Sequence, residues 1–223
     1  MTACLLVDYN GVLVNDEPLH FAAFRDVLAE HRLALDERTY FSEFLGIDDR
    51  SAFVEAWRRA RRTVTSELLR VLVDDKAARY AALTAAGIPA VAGAAAFVRA
   101  CAERWPVAVV SGALRREIDA GLEQLGLRGA VGVVVAQEDV ATTKPDPGGY
   151  RLALERLGAP APTHAVVLED SAPGIAAARA IGAGCVALAT SRPAQSLAGA
   201  DAVWPDFLGR APKDLEPLLR ALA

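Results

Sequence analysis

Short runs of consecutive apolar residues recur along the chain, and several of them end at a polar or charged residue. The first run, residues 5–7, is followed at once by Asp8. Later runs cover residues 107–110, 131–136, 165–168, 184–189 and 202–204. Uninterrupted apolar runs of this length are typical of strands that are buried on both faces of a parallel sheet. The pattern therefore predicts a sheet built from these segments.

Between most of these runs, apolar residues recur every three or four positions, which is the spacing of amphipathic helices. The predicted helices in this part of the chain cover residues 93–104, 114–125, 149–157 and 175–181. Glycine follows three of them and can end a helix. Strand and helix alternate at the spacing of βαβ units, so we expect an α/β fold with a doubly wound, Rossmann-like parallel sheet.

Residues 15–86 carry no strand pattern. Their apolar positions instead predict helices near residues 20–29, 51–61 and 66–83. Because this helical stretch follows a single strand, we expect an inserted all-α helical cap domain over residues 15–86. The α/β core domain would then comprise residues 1–14 and 87–223.

Composition excludes several classes of protein. The chain has 223 residues and a formal net charge of -4, whereas a nucleic-acid-binding surface is basic. Its most apolar long window, residues 83–102, is interrupted by glycines, a proline and an arginine, which argues against a membrane span. Only six residues separate Met1 from Asp8, too few for a secretory signal. We expect a cytoplasmic protein, and the oligomeric state stays open.

The cysteines add no site of their own. Cys4, Cys101 and Cys185 are far apart and form no Cys-x-x-Cys pair. Such spacing supports neither a disulfide framework nor a thiolate zinc site. We expect each cysteine to be a small hydrophobic residue in the core.

Polar residues follow the predicted strands and suggest chemistry. Asp8, Ser111 and the pair Glu169–Asp170 stand at strand ends, and Lys144 lies in a loop before a helix. In an open parallel sheet the carboxyl ends of the strands lie on one edge, where ligands bind. The pattern thus predicts a carboxylate cluster beside one hydroxyl and one ammonium.

This set of groups suits metal-assisted phosphoryl transfer. Hard oxygen ligands favour Mg²⁺, and an aspartate beside Mg²⁺ and lysine can act as a nucleophile that forms an aspartyl-phosphate. Lysine and metal would neutralise the charge of the transferred group. Ser111 can donate to a phosphate oxygen, and glycines at Gly112 and Gly174 allow main-chain N–H groups to approach an anion.

The chain resembles the haloacid dehalogenase-like hydrolases, in the branch with a helical cap. The resemblance covers essentially the whole chain and rests on four motifs in order. They are Asp8-Tyr9-Asn10-Gly11-Val12-Leu13, then Val110-Ser111-Gly112, then Lys144-Pro145-Asp146-Pro147, and finally Glu169-Asp170-Ser171-Ala172-Pro173-Gly174-Ile175. Within the family the chain is similar to β-phosphoglucomutase and phosphoglycolate phosphatase-like proteins.

The resemblance implies roles for the core residues. Asp8 would be the nucleophile. Mg²⁺ would be held by Asp8, the main-chain carbonyl of Asn10 and Asp170, with Glu169 helping directly or through water. The transferred phosphate would be bound by Ser111, Gly112 and Lys144.

The resemblance also implies roles in the cap. His20 matches a cap-hinge histidine, and Lys76 matches a cap lysine that reaches the distal group of the substrate. Arg50 lies near the position of a cap arginine that grips phosphate. The expected partner is a small phosphorylated metabolite, with no nucleic acid and no membrane.

Asn10 departs from the family pattern. In the phosphatases and mutases that this chain resembles, an aspartate at this position acts as general acid and base. An amide cannot shuttle a proton in this way, although its main-chain carbonyl can still bind a metal. Since general acid–base catalysis contributes roughly 10²–10⁴ in rate, we expect slow turnover with metal and phosphate binding intact.

Three hypotheses follow. The first is a Mg²⁺-dependent phosphatase or phosphomutase-like enzyme that acts through Asp8. The second is a phosphometabolite-binding or regulatory relative that kept the pocket and lost the proton shuttle. The third is a haloacid dehalogenase, which needs no Mg²⁺, and the intact pair Glu169–Asp170 counts against it.

Overall fold

The computed structural model describes residues 3–45, 47–158 and 164–220, and the chain divides into two compact units. The first, here called the sheet unit, comprises residues 1–15 and 89–223. The second, the helical unit, comprises residues 16–88. In the described residues, no helix is both long and apolar enough to cross a membrane.

The sheet unit is organised around six parallel strands. They are β1 Cys4–Val7, β2 Val107–Val110, β3 Val133–Val135, β4 Ala165–Glu169, β5 Gly184–Leu188 and β6 Ala202–Trp204. The spatial order is β3-β2-β1-β4-β5-β6, so the direction of winding reverses between β1 and β4. The carboxyl ends of strands at such a reversal form the usual ligand crevice of an open α/β sheet. β1 and β4 are followed by Asp8 and Asp170.

The helical unit contains helices and no strand within residues 16–45 and 47–88. Its elements are α1 Glu17–Glu30, α2 Glu37–Thr39 with a π-helical turn over Tyr40–Phe44, α3 Asp49–Arg59 and α4 Ser66–Thr84. Asp48 and Thr65 start α3 and α4 by accepting hydrogen bonds from main-chain N–H groups in the first turns. The unit has a core of its own, in which the rings of Phe24 and Phe53 lie 4.4 Å apart.

The remaining helices belong to the sheet unit. They are α5 Ala94–Ala102, α6 Arg115–Gln124, α7 Gly148–Arg156, α8 Ala172–Ile181 and α9 Glu216–Arg220. Short 3-10 turns occupy Gln137–Asp139, Ala194–Leu197 and Pro212–Leu215. The predicted doubly wound parallel sheet with a helical cap is confirmed.

Strand β3 is shorter than the predicted run of residues 131–136. At its start, Gly132 donates to the carbonyl of Val107, and Val131 donates back to Leu127 within the turn after α6. At its end, the N–H of Ala136 donates to the carboxylate of Asp139 at 2.8 Å. Val131 and Ala136 therefore form local hydrogen bonds in place of ladder pairing, whereas Gly132 still donates across to β2.

All strands of the sheet centre are buried, as their composition predicts. Every residue of β1, β2, β4 and β5 is buried, and burial of each valine or leucine side chain contributes about 1.5–3 kcal/mol. The three cysteines are buried and free, which confirms their predicted role as core residues.

Candidate active site

Three carboxylates meet at the reversal between β1 and β4. The two strands are paired through Val7 and Leu168, and the N–H of Asp8 donates to the carbonyl of Leu168 at 2.9 Å. This pairing places Asp8, Glu169 and Asp170 side by side, with one oxygen from each within 4.8 Å of the others. All three residues are at least nine-tenths buried.

Lys144 joins this cluster from the loop before α7. Its Nζ lies 2.8 Å from Oδ1 of Asp8 and 2.6 Å from Oε1 of Glu169, and it donates to the carbonyl of Val110 at 2.9 Å. An ammonium has three protons, so each is directed to one oxygen. Burial opposes the charge of Lys144, but Asp8 and Glu169 outweigh it and raise its pKa above the ordinary value.

Glu169 accepts hydrogen bonds on both oxygens. Oε1 accepts from Lys144 and from the hydroxyl of Tyr150 at 2.7 Å. Oε2 accepts from the N–H of Asp170 at 3.1 Å, and from the N–H and hydroxyl of Ser171 at 3.2 and 2.9 Å. A carboxylate has about four lone-pair positions, so these donors occupy all of them. Burial opposes ionisation of Glu169, yet Lys144 and the hydrogen bonds lower its pKa.

Two glycines permit the close packing of these carboxylates. A Cβ at Gly11 would lie 2.0 Å from Oδ2 of Asp170, and a Cβ at Gly174 would lie 1.9 Å from the carboxylate of Glu169. Gly11 also has a φ of 73°, which disfavours other residues. Any side chain at either position would displace the neighbouring acid.

Two hydroxyl residues after β5 complete the cluster, and the motifs did not predict them. The hydroxyl of Ser191 donates to Oδ2 of Asp170, and that of Thr190 donates to the carbonyl of Gly11. They follow an apolar run as Ser111 does, which was the available sequence signal. Tyr150 was also missed, because in the sequence it is simply one apolar position of a predicted helix.

The cluster carries more negative than positive charge. Burial raises the pKa of Asp8 to about 6, with Glu169 adding to this effect and Lys144 opposing it. Burial, Asp8 and Glu169 raise the pKa of Asp170 well above its ordinary value. The pKa values of both aspartates are thus raised, and every candidate ligand atom of the cluster is an oxygen. Both properties fit a hard divalent cation such as Mg²⁺.

The predicted phosphate-binding residues line one cavity of the sheet unit. Ser111, Gly112 and Lys144 border it together with Thr143 and Tyr150. Ser111 follows β2, where its N–H donates to the carbonyl of Val135 and its hydroxyl accepts from the N–H of Ala113 at 3.1 Å. Gly112 is exposed next to it. The structure therefore brings the second and third motifs together.

Asn10 lies in the loop directly after the predicted nucleophile and is partly buried. The loop folds back on itself, because Leu13 donates to the carbonyl of Tyr9 and Gly11 donates to that of Val14. Tyr9 anchors it: its hydroxyl donates to the carbonyl of Glu117 at 3.2 Å. A rigid loop of this kind fixes the main chain around Asn10.

The predicted cap residues lie in the helical unit. Nζ of Lys76 is 2.6 Å from Nδ1 of His20 and 2.9 Å from Oδ1 of Asp49, and Nε2 of His20 is 3.2 Å from Asp16. The structure thus joins His20 and Lys76 in one polar cluster. Arg50 is exposed on α3, whereas its neighbour Asp49 directs its carboxylate to Lys76.

A doubly wound sheet with a buried carboxylate–lysine centre at its reversal point has its polar groups where open α/β proteins bind their ligands. A family model described as haloacid dehalogenase-like hydrolase matches residues 2–182. The chain therefore belongs to the haloacid dehalogenase-like hydrolases, and it is a hydrolase.

Several relatives cover nearly the whole chain. Validoxylamine A 7'-phosphate phosphatase of Streptomyces hygroscopicus subsp. limoneus is 31% identical over 206 residues, 91% of this chain and 92% of that protein. Fructose-1-phosphate phosphatase YqaB of Escherichia coli is 31% identical over 81% of this chain and 93% of its own.

A solved structure is also similar. CbbY from Rhodobacter sphaeroides in complex with phosphate superimposes with a TM-score of 0.85 at 28% identity, covering 97% of this chain and 100% of that chain. An aspartate-to-asparagine mutant of CbbY in complex with xylulose-1,5-bisphosphate gives a TM-score of 0.83 at 28% identity, covering 94% of this chain and 96% of that chain.

Proposed function

We propose that the protein is a Mg²⁺-dependent phosphatase that hydrolyses a phosphorylated sugar through an aspartyl-phosphate on Asp8. The observation that carries this proposal is the contact of Lys144 with both Asp8 and Glu169 at the sheet reversal. A cation fixed beside a buried carboxylate suits transfer of an anionic phosphoryl group. Relatives that are named phosphatases support the reaction class.

We assign the metal site to Asp8, Asp170 and the main-chain carbonyl of Asn10. Glu169 is excluded as a direct ligand in this proposal, because its lone pairs already accept from Lys144, Tyr150, the N–H of Asp170 and Ser171. It would act on the site through Lys144. When bound, Mg²⁺ would neutralise the negative charge that accumulates between the two aspartates and the phosphate.

In the first step, an oxygen of Asp8 attacks phosphorus and the bond from phosphorus to the sugar oxygen breaks. The hydroxyl of Ser111 and the N–H of Gly112 hold the phosphoryl oxygens, and Lys144, whose protons are directed to Asp8, Glu169 and the carbonyl of Val110, stabilises their negative charge from beside Asp8. In the second step, water attacks the phosphorus of the aspartyl-phosphate and restores the carboxylate of Asp8, releasing inorganic phosphate. The sugar oxygen gains one proton and the attacking water loses one.

The side chain of Asn10 limits the rate of both steps. The amide can hold neither proton, so each transfer must use solvent and loses a factor of about 10²–10⁴ where it limits the rate. An ester with a good leaving group needs no proton in the first step. We therefore expect aryl or acyl phosphates to phosphorylate Asp8 quickly and the intermediate to decay slowly, as a burst.

A phosphorylated sugar is the proposed substrate class. Fructose-1-phosphate phosphatase is among the relatives, and the aspartate-to-asparagine mutant of CbbY was solved in complex with xylulose-1,5-bisphosphate. We further propose that His20 and Lys76 contact the sugar hydroxyls, since they combine donors and acceptors in one partly accessible cluster. The exposed Arg50 remains a candidate for a charged group of the substrate.

Asn10 is the observation that favours a second candidate function, binding without turnover. A protein that binds a sugar phosphate and does not turn it over would keep Asp170, Ser111 and Lys144 and dispense with the proton shuttle. This alternative predicts tight binding of substrate with no phosphorylation of Asp8.

The test compares the natural chain with Asp8→Asn and Asn10→Asp on fructose 1-phosphate, xylulose 1,5-bisphosphate and p-nitrophenyl phosphate, with Mg²⁺ or a chelator. We expect Mg²⁺-dependent phosphate release that Asp8→Asn abolishes, phosphate on Asp8 by mass spectrometry, and at least about a tenfold gain in Asn10→Asp on the sugar esters. If Asp8 is never phosphorylated and Asn10→Asp gains nothing, the binding function replaces the enzyme.

A further inference from the structure

We propose that Tyr150 is a positioning residue of the catalytic centre, which holds Glu169 so that Lys144 stays in contact with Asp8. The proposal rests on the proposed function in one respect: the charge of Lys144 is taken to stabilise the phosphoryl group. None of the four sequence motifs includes Tyr150.

The geometry is a chain of three contacts. Tyr150 lies on α7, 1% exposed, and its hydroxyl donates to Oε1 of Glu169 at 2.7 Å. The same oxygen is 2.6 Å from Nζ of Lys144, and Nζ is 2.8 Å from Oδ1 of Asp8. A displacement of Glu169 would therefore pass directly to the ammonium that faces the nucleophile.

The ring of Tyr150 adds a second contact with Lys144. Nζ lies 5.1 Å from the ring centroid, within the range of a cation–π interaction. The ring thus limits the ammonium on one side, while Asp8, Glu169 and the carbonyl of Val110 fix its three protons. Substitution by phenylalanine keeps the ring and removes only the hydroxyl, which separates the two effects.

The two oxygens of Glu169 are held differently. Oε2 is fixed by the N–H of Asp170 and by Ser171, both close in sequence. In the described part of the chain, Oε1 contacts only Tyr150 and Lys144. Without the hydroxyl, the position of Oε1 depends on the same lysine that it has to orient. Tyr150 is therefore the independent restraint on the Glu169–Lys144 pair.

The experiment is a double-mutant cycle with Tyr150→Phe, Glu169→Ala and both changes together, in the full chain with Mg²⁺. The control is Tyr40→Phe, because Tyr40 is 7% exposed and donates to Glu17 at 2.6 Å, also a buried tyrosine on a carboxylate but in the helical unit. Three quantities are measured: kcat and KM on fructose 1-phosphate, the Kd of inorganic phosphate by calorimetry, and the free energy of unfolding.

We expect Tyr150→Phe to lower kcat about tenfold and to weaken phosphate binding several-fold, since small misplacements of a catalytic group are costly. In the Glu169→Ala background, which has no side-chain acceptor for the hydroxyl, Tyr150→Phe should cause no further loss, because the tyrosine acts through that glutamate. Tyr40→Phe should lower stability and leave kcat and phosphate affinity unchanged.

Two results would overturn the proposal. One is a Tyr150→Phe protein that is less stable but has the kcat and phosphate affinity of the natural chain, which would make Tyr150 a core residue only. The other is full additivity with Glu169→Ala. If no sugar phosphate is hydrolysed, the phosphate Kd still decides: weaker binding in Tyr150→Phe supports the positioning role while the phosphatase fails, and a chain that binds no phosphate contradicts both.

Discussion

Lys76 and Asp49 form an ion pair inside the helical unit, with Nζ and Oδ1 2.9 Å apart. The lysine side chain is 3% exposed and that of the aspartate 30%. Asp16 is also buried next to His20 in the same cluster. The positive charge of Lys76 is therefore already balanced, which favours uncharged hydroxyl groups over a second phosphate as its ligand.

This balance predicts a change in selectivity. If Lys76 contacts the substrate as proposed, Asp49→Asn should raise kcat/KM for a sugar bisphosphate relative to a monophosphate by about tenfold, since a buried, unpaired ammonium attracts an anion strongly. The control is Asp74→Asn, which also removes a negative charge from the helical unit but at an exposed pair with Arg70. If the ratio of kcat/KM for the bisphosphate to that for the monophosphate is the same in the natural chain, Asp49→Asn and Asp74→Asn, Lys76 does not determine substrate selectivity.

Asp170→Asn should stabilise the metal-free protein. The pKa of Asp170 is raised by burial and by the neighbouring charges of Asp8 and Glu169, so its ionised form is unfavourable without a cation. We expect the free energy of unfolding in chelator at pH 7 to rise by about 1–2 kcal/mol. Adding Mg²⁺ should raise the Tm of the natural chain and leave that of the variant unchanged. If Asp170→Asn instead lowers the free energy of unfolding in chelator, the proposed repulsion between Asp170 and the carboxylates of Asp8 and Glu169 is wrong.

Gly11→Ala should damage the metal site beyond its cost in backbone strain. The matched control is Gly182→Ala, because Gly182 has a φ of 78° but, among the described residues, no neighbouring atom within 4 Å of the point where a Cβ would stand, whereas Gly11 has Asp170 at 2.0 Å. Both variants should lose about 1–2 kcal/mol of stability from the left-handed backbone. Gly11→Ala alone should weaken Mg²⁺ binding at least about tenfold, measured by calorimetry. Equal Mg²⁺ affinities in Gly11→Ala and Gly182→Ala would show that Gly11 has no role in the metal site.

Asp139 gives a prediction for pH. Burial opposes its ionisation, but the N–H of Ala136, Arg156 and Arg115 outweigh this and lower its pKa below the ordinary 3.8. A lowered pKa stabilises the fold above the unfolded pKa, and this stability is lost as the pH falls through the folded pKa. Asp139→Asn should therefore cost about 1–2 kcal/mol at pH 7.

The measurement for Asp139 is the free energy of unfolding by denaturant titration at a series of pH values. The difference between the natural chain and Asp139→Asn should be constant from neutral pH to about 5 and should shrink below about 4, as Asp139 takes up a proton. A difference that grows on acidification would contradict the sign of the pKa shift.

The strand ends were predictable because their determinants are local. An apolar run followed by an acid, as at Asp8 or Glu169, reports both a buried strand and the edge where it ends. The contact between Tyr150 and Glu169 was not predictable, because it depends on how α7 is rotated against the sheet. The pattern places Tyr150 within a predicted helix and gives no direction for its hydroxyl.

In the predicted cap, the motif likewise does not define which of two neighbouring residues makes a contact. The resemblance directed attention to Arg50, yet its neighbour Asp49 contacts Lys76. Consecutive residues on an α-helix point about 100° apart, since 3.6 residues complete one turn. A shift of one position in matching a motif therefore changes which residue is assigned to the cluster, here the cation Arg50 or the anion Asp49.

The central strand β1 has consequences for when activity can appear during synthesis. Its two neighbours, β2 and β4, begin at Val107 and Ala165, so Cys4–Val7 has no sheet partner until long after it is made. The helical unit, built from nearby segments, can form earlier, because local contacts close quickly. Asp8 meets Asp170 only when β4 is paired. If the proposed site requires both aspartates, we expect hydrolysis only from chains in which β4 has paired with β1.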